Sequence, residues 1–210
     1  MKPPAQPERV IAAGRASEIL DLGGGRVLRR FKNGGDPERE AVIMAHARAH
    51  GFPVPEVLEV RDDALVLERI DGSSMLRMLR TRPWRVGAYA RTLAALHSQL
   101  HEIPFKGERL LHLDLHPDNV LLARDGPVVI DWTNARAGDP RLDVALTWVI
   151  CVTSGGPGER LFTRFFLRHA GRDAARQALA DAARYRLADV NVTDAERARV
   201  RALVRSELGR

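Results

Sequence analysis

A short polar segment between apolar runs is the feature that most constrains this chain. Residues 112–119 read His-Leu-Asp-Leu-His-Pro-Asp-Asn, and six of these eight positions are polar or proline. Apolar runs flank the segment on both sides. Such a segment forms a loop held by a packed scaffold, which is where catalytic groups tend to lie. The later apolar run Val128–Ile130 ends at Asp131, so a buried strand places another carboxylate at the edge of the core.

The spacing of these polar residues predicts phosphoryl transfer. That reaction needs a carboxylate to take the proton of the acceptor hydroxyl, and oxygen ligands for magnesium. Asp114 is the candidate base, and Asn119 and Asp131 are the candidate metal ligands. A His-x-Asp-x-x-x-x-Asn loop followed by an aspartate at the end of a strand is the catalytic-loop pattern of kinases.

Two other interpretations of the loop stay open. His112, Asp114 and His116 alternate, so on a strand they would share one face and could bind the zinc of a metallohydrolase. That hypothesis leaves Asn119 unexplained, and Pro117 would interrupt strand pairing. The loop could also be a polar turn that only satisfies buried backbone groups. For His112 itself we expect a hydrogen-bonding role that braces the loop.

The chain changes character near residue 70. Upstream, short runs predict strands, and Asp36-Pro37 predicts the start of a helix that ends before Gly51. Downstream, helical periodicity dominates. We therefore predict an α+β, two-lobed fold with a strand-rich lobe over residues 1–69 and a helical lobe over residues 70–210. The predicted strands are Val10–Ala13, Glu18–Leu22, Arg26–Phe31, Leu58–Val60 and Ala64–Leu67, and the main predicted helices are Ser74–Arg80, Val86–His101, Asp143–Val152, Gly158–Ala170, Asp173–Tyr185 and Asp194–Leu208.

Composition narrows the environment and the partners. The net charge is +6, but aromatic residues make up only 5% of the chain, too few for a base-stacking surface. We therefore expect no nucleic-acid partner. No apolar run is long enough to cross a membrane, and Cys151 is the only cysteine, which fits a reducing cytoplasm.

Two consecutive motifs resemble a known family. The sequences HLDLHPDNVLL and VVIDWTNARAGDPRLDVA resemble the aminoglycoside phosphotransferase and choline kinase family of small-molecule kinases, which have a protein-kinase-like fold. The resemblance implies that ATP and Mg²⁺ bind between the lobes and that a small molecule is the phosphoryl acceptor. It is close over the catalytic core and looser upstream, to about residue 10.

The resemblance also implies roles for individual residues. Asp114 resembles the catalytic base, and Asn119 and Asp131 resemble the magnesium ligands. Asp143 resembles a carboxylate that packs behind the loop, where His112 also gives structural support. Residues implied to contact the nucleotide are Gly14 and Ser17 in the phosphate loop, Arg29 on the third strand, Glu40 on the first helix, and Glu68 and Ile70 at the hinge.

The chain departs from the family pattern at the third strand. The family carries a lysine there, whereas this chain has Arg29 at the matching position and Arg30 as an alternative register. Arginine can still bridge phosphate oxygens and Glu40. The missing lysine leaves open a nucleotide-binding module with little catalysis. The protein-kinase D-F-G and A-P-E motifs are absent from the sequence, which argues against a protein acceptor. Arginine is frequent near the C-terminus, so we expect the small-molecule acceptor to be neutral or anionic rather than cationic.

Overall fold

An antiparallel five-stranded sheet forms the N-terminal part of the computed structural model, which describes residues 9–14, 17–32, 34–154 and 157–209. The strand order is β1-β2-β3-β5-β4. Alternate residues of β5 lie on opposite faces, so that Leu65 and Leu67 join the main core whereas Ala64 and Val66 join a smaller cluster. The strands are β1 Arg9–Ala13, β2 Ser17–Gly23, β3 Arg26–Phe31, β4 Val57–Val60 and β5 Ala64–Glu68.

Helix α1, Pro37–Ala49, packs against this sheet. Asp36 caps it by accepting a hydrogen bond from the Arg39 amide at 2.9 Å, as the Asp-Pro pair predicts. The buried side of α1 is apolar except for Glu40, which is 1% exposed. A carboxylate at such a position needs a partner of opposite charge.

Helices make up most of the C-terminal part. The predicted single helix over 173–185 is two helices, because the Ala178 amide bonds to the Ala175 carbonyl and tightens the last turn of the first one. The helices are α2 Met75–Thr81, α3 Val86–His101, α4 Pro140–Ser154, α5 Pro157–Ala170, α6 Arg172–Gln177, α7 Leu179–Ala188 and α8 Asp194–Leu208.

Two small antiparallel sheets hold the loops between these helices. One has the order β10-β9-β6 and the other β11-β8-β7. The polar segment 112–119 therefore connects β8 to β9, and Asp131 lies between β10 and β11. These strands are β6 Gly72–Ser74, β7 Pro104–Phe105, β8 Glu108–Leu111, β9 Val120–Ala123, β10 Gly126–Val129 and β11 Arg136–Gly138.

The strand-rich and helical parts share one main core. It runs from Met44 on α1 through Leu93 on α3 to Phe166 on α5, and Trp132 is fully buried within it. The protein thus has the mixed α+β architecture that we predict from sequence. The boundary between residues 69 and 70 stays a prediction. Among the described residues no helix combines the length and the apolar character that crossing a bilayer requires.

Candidate active site

Residues 112–119, which connect β8 to β9, are here named the catalytic loop after the kinase pattern that they match. Hydrogen bonds within this loop hold Asp114 in place. The Asn119 side-chain amide donates to the Asp114 carbonyl at 2.9 Å and to its carboxylate Oδ2 at 3.0 Å. A 3-10 turn over Pro117–Asn119 closes the loop, and the His116 ring accepts from the Asp118 amide at 3.3 Å. Asp114 keeps a quarter of its side chain exposed. The carboxylate is therefore both held in place and open to a ligand.

Backbone strain accompanies both carboxylate segments. Leu113 has φ 62° and Asp131 has φ 65°, a region that costs a residue with a side chain roughly 1–3 kcal/mol. Leu113 directly precedes Asp114, so the strained backbone helps to set the direction of both carboxylates. Strain of this kind clusters at functional sites.

A group of charged side chains, here named the front cluster, joins the N-terminal sheet to the loop after β10. It consists of Arg29, Glu40, Asp131 and Thr133. The Arg29 guanidinium is 4% exposed and forms ion pairs with both Glu40 and Asp131. It also donates to the Thr133 hydroxyl at 2.8 Å, and that hydroxyl is 3.1 Å from Glu40 Oε2. Arg29 thus takes the place of the family lysine, whereas Arg30 is partly exposed and pairs with Glu18.

Burial and charge set the protonation of these acids. Burial raises the pKa of Glu40, and Arg29 opposes that rise. Burial also raises the pKa of Asp114, with His116 and His112 opposing it. For Asp131, burial is outweighed by Arg29 and the Thr133 hydroxyl, so its pKa lies below the ordinary value. Asp131 is therefore ionised at neutral pH, as a metal ligand must be.

A second group, here named the rear cluster, lies behind the catalytic loop and consists of His97, His101, Asp143 and Thr147. Asp143 is fully buried and accepts hydrogen bonds from the amides of His112, at 3.0 Å, and Leu113, at 2.8 Å. Burial opposes ionisation, but the His101 hydrogen bond and nearby histidine and amide groups hold the pKa of Asp143 well below its usual range. Asp143 thus anchors the loop from behind, the role implied by the family resemblance.

The His112 ring contacts the backbone of two neighbouring segments. Its Nε2 is 3.2 Å from the Ile130 carbonyl and its Nδ1 accepts from the Asp114 amide at 3.2 Å. Because both ring nitrogens are occupied, His112 has no lone pair to offer a metal. This argues against a hydrolytic zinc site built on His112, Asp114 and His116.

The phosphate-loop and hinge residues expected from the resemblance lie at the two ends of the N-terminal sheet. Gly14 donates to the Ser17 carbonyl at 2.8 Å, and the Ser17 hydroxyl accepts from Arg29 Nε at 3.3 Å. Arg15 and Ala16, which separate them in the sequence, lie outside the described residues. At the other end, Glu68 closes β5 and the half-buried Ile70 follows in the connector.

The oxygen donors suit a hard divalent cation. Asn119 donates its side-chain amide nitrogen to Asp114. Its side-chain carbonyl oxygen makes no hydrogen bond within the described loop and is left for a cation. Asp131 is 40% exposed, and its hydrogen bonds to Arg29 and Thr133 involve Oδ1, which leaves Oδ2 for a ligand. Carboxylate and amide oxygens are the donors that Mg²⁺ prefers. The residues present therefore fit magnesium.

Sequence reasoning missed four residues of these clusters, which are Thr133, His97, His101 and Thr147. Thr133 lies two positions after Asp131, and nothing in its pattern distinguishes it from a loop threonine. His97 and Thr147 occupy core faces of α3 and α4, where periodicity predicts only packing. The repeated spacing of four, His97 to His101 and Asp143 to Thr147, is the one signal that could indicate two facing helix stripes.

The loop that carries Asp114 and Asn119 lies between short strands, and the buried Arg29 of the antiparallel sheet pairs with Glu40 of helix α1. This arrangement is typical of a protein-kinase-like fold. A model of the RIO domain matches residues 35–140, half of the chain, and a model of the phosphotransferase enzyme family matches residues 102–179. The chain therefore belongs to the RIO-domain family, and its residues 102–179 are similar to the phosphotransferase enzyme family.

Solved structures confirm the fold. Apo aminoglycoside phosphotransferase APH(4)-Ia, as a thermostable mutant, matches at TM-score 0.74 and 19% identity, covering 98% of this chain and 96% of that one. Its ternary complex with AMP-PNP and hygromycin B matches at 0.73, with the same identity and coverage. A choline/ethanolamine kinase family protein from Mesorhizobium loti matches at 0.64 and 19% identity, covering 95% and 88%.

A curated relative matches part of the sequence. The EKC/KEOPS complex subunit BUD32 of Encephalitozoon cuniculi is 31% identical over 87 residues, which are 41% of each chain. The match thus spans about two fifths of that relative's length.

Proposed function

We propose that this protein transfers the γ-phosphoryl group of ATP to a hydroxyl of a small molecule in the cytoplasm, with Asp114 as the catalytic base. The observation that carries the proposal is the Asp114 carboxylate, fixed by Asn119 at 3.0 Å and one quarter exposed. A base must be both positioned and accessible, and Asp114 meets both requirements.

The reaction is a substitution at the γ-phosphorus. The acceptor oxygen forms a new bond to that phosphorus, the bond to the β,γ-bridging oxygen breaks, and ADP leaves. Asp114 takes the acceptor hydroxyl proton. Arg29, held by Glu40, supplies positive charge toward the phosphates. Asn119 and Asp131 would hold Mg²⁺, which neutralises phosphate charge when bound. Glu68 and Ile70 would contact adenine, and Gly14 and Ser17 would border the phosphates.

Helix α7 supports an acceptor that is not a polycation. Burial raises the pKa of the Tyr185 hydroxyl on α7, the Arg136 charge opposes that rise, and the Asp114 charge adds to it. The Arg136 guanidinium lies 5.4 Å from the centre of the Tyr185 ring. We place the acceptor beside Tyr185 and Arg136, where the guanidinium favours a neutral or anionic hydroxylated molecule over a cationic antibiotic.

The matches to the RIO domain and to BUD32 favour a second candidate, a kinase-like protein whose acceptor is another protein. Both candidates use the same base and metal ligands. They differ in where the phosphoryl group goes, which labelled ATP detects directly as a small phosphorylated product or as a labelled protein.

The experiment that tests catalysis compares Asp114→Asn with Asp118→Asn. Asp118 lies in the same loop but is exposed, so its variant is a matched control. ADP release with a panel of hydroxylated acceptors, and with water as a slow acceptor, is the readout. We expect Asp114→Asn to lose about 100-fold or more of the rate, the usual contribution of a general base, and Asp118→Asn to resemble the native protein.

Nucleotide binding separates the possible outcomes. Mg²⁺ and ATP together should raise the melting temperature of both variants and of the native protein, but not of Asp131→Ala. Equal rates for Asp114→Asn and Asp118→Asn would contradict the base assignment. A magnesium-dependent shift without turnover on any acceptor would leave a nucleotide-binding module with little catalysis.

A further inference from the structure

A buried imidazole in the rear cluster has a ring nitrogen without a partner. His97 is 1% exposed, and its Nδ1 has no hydrogen-bond partner among the described residues. Asp143 Oδ2 lies 3.8 Å from this nitrogen, which is too long for a hydrogen bond. Each buried polar atom left in this way needs an explanation, of which an ion is one.

Hydrogen bonding fixes the state of that nitrogen. The Thr147 hydroxyl lies 2.6 Å from the Leu115 carbonyl, which can only accept, so the hydroxyl proton is used there. The same hydroxyl lies 3.0 Å from His97 Nε2 and must accept from it. The proton of the neutral ring is therefore on Nε2, and Nδ1 presents a lone pair. Burial also lowers the pKa of His97 to about 3, which keeps the ring neutral.

A lone pair and a carboxylate thus face each other in the interior. His101 Nε2 completes the group, at 3.0 Å from the same Asp143 oxygen, and the donor atoms of the three residues all lie within 4.8 Å of one another. The donor atoms of a tetrahedral zinc ion lie about 3.3 Å apart, given bonds of 2.0–2.1 Å. The separations of 3.0 and 3.8 Å from Asp143 bracket that value.

We propose that the rear cluster binds one zinc ion through His97 Nδ1, His101 Nε2 and the Asp143 carboxylate. Two imidazoles and one carboxylate form a donor set suited to zinc rather than magnesium. When the metal binds, His101 Nε2 releases its proton to solvent and the ring keeps one proton on Nδ1, so that it ligates as a neutral imidazole. His101 is 10% exposed and gives the ion its route from solvent, and the fourth coordination position is left for water.

The site would connect two helices to the catalytic loop. His97 and His101 are one turn apart on α3, whereas Asp143 lies in the first turn of α4. Asp143 also accepts from the amides of His112 and Leu113, next to Asp114. Thr147 orients His97 in the way that outer residues orient metal ligands. Bound zinc would therefore fix the rear of the loop without touching the phosphoryl-transfer site.

The decisive experiment measures zinc content and affinity in the full-length protein. Metal analysis after expression with added zinc, followed by titration of the chelated and dialysed protein against a chromophoric zinc competitor, gives stoichiometry and affinity. We expect one zinc per chain in the native protein and a loss of at least tenfold in affinity in His101→Gln. Absence of bound zinc in both measurements would overturn the proposal.

The chain offers a matched control. His46 on α1 and His50 just after it have the same spacing of four, but His46 is half-buried, His50 is exposed, and no described carboxylate joins them to form a three-residue group. The double variant His46→Gln/His50→Gln should retain the zinc. Loss of zinc in this double variant with retention in His101→Gln would overturn the proposal.

Two further measurements distinguish a loss of zinc binding from unfolding, and zinc in the rear cluster from zinc at the magnesium site. Cobalt in place of zinc should give the visible absorption of a tetrahedral site in native protein and in Asp131→Ala, but not in His101→Gln, whose fold is checked by circular dichroism. If His101→Gln is unfolded, Thr147→Val serves instead. It removes the hydroxyl that keeps the His97 proton on Nε2 and the lone pair on Nδ1, so it should weaken zinc binding. Zinc binding that disappears with Asp131→Ala would overturn the assignment to the rear cluster.

Discussion

The catalytic loop is held from two sides by groups of different chemistry. The front cluster consists of ion pairs around Arg29, and one of its acids, Asp131, is 40% exposed. In the rear cluster His97 and Asp143 are almost completely buried, and Asp143 accepts from two backbone amides. Both clusters contain a threonine and a carboxylate. They differ in the solvent access of Asp131 compared with Asp143, and in their main partners, which are an arginine for Asp131 and two backbone amides with His101 for Asp143.

This difference indicates separate tasks. An ion pair at the edge of a cleft can be exchanged for a phosphate or a cation at low cost, because water and ligand compensate the separated charges. A buried carboxylate on backbone amides cannot be exchanged in this way. We therefore infer that the front cluster responds to ligand and that the rear cluster fixes the loop on which the ligand is placed.

The largest expected effect comes from removing Asp143. Asp143→Ala leaves the amides of His112 and Leu113 buried without acceptors, and should lower the free energy of unfolding by roughly 3–5 kcal/mol. Urea unfolding in the presence of a chelator measures this effect without any metal contribution. Asp118→Ala, an exposed aspartate in the same loop, should change stability by less than about 1 kcal/mol. Similar losses for both variants would contradict the division between the clusters.

The front cluster was the more predictable of the two. Asp131 follows a clear apolar run, Glu40 lies on a helix with an Asp-Pro start, and the family motif points to both. Helix and strand positions were predictable for the same reason, because apolar period and capping residues are local signals. The three-residue strands β6 and β11 were not, because their pairing is set by long-range contacts.

The rear cluster was predictable only in part. Asp143 and His112 are implied by the motif, but His97 and Thr147 lie on core-facing sides of long helices. Periodicity assigns such positions to packing, and a polar residue there becomes informative only when the facing helix is known. Nor does sequence indicate the positive φ of Leu113 and Asp131, since both residue types ordinarily adopt negative φ.

A smaller effect should follow from Thr147→Val, which keeps the shape of the side chain and removes its hydroxyl. The Leu115 carbonyl and His97 Nε2 then lose a buried partner, and stability should fall by about 2–3 kcal/mol. Thr153 on the same helix is equally buried, but its hydroxyl donates to the Val149 carbonyl of its own helix. Thr153→Val should therefore cost less than about 1 kcal/mol. A reversed order in thermal or urea unfolding would show that the Thr147 hydroxyl does not connect α3 to the loop.

The smallest effect on stability, and the sharpest test of the front cluster, should come from Arg29→Lys. A lysine keeps a positive charge beside Glu40 but has one ammonium group instead of a fork, so it cannot hold Glu40 and Asp131 together as Arg29 does. Stability should fall by only about 1 kcal/mol, the worth of a hydrogen bond.

Ligand binding should change in the opposite direction. Because Asp131 is released from its ion pair, the magnesium concentration that gives half of the ATP-dependent thermal shift should fall about threefold, or about 0.6 kcal/mol. Arg30→Lys is the matched control, since Arg30 is the next residue and pairs with Glu18 at 3.1 Å on the partly exposed side of the strand. It should leave the magnesium requirement unchanged. If Arg29→Lys raises that requirement, the guanidinium assists the metal rather than competing with it, and the front cluster is as fixed as the rear one.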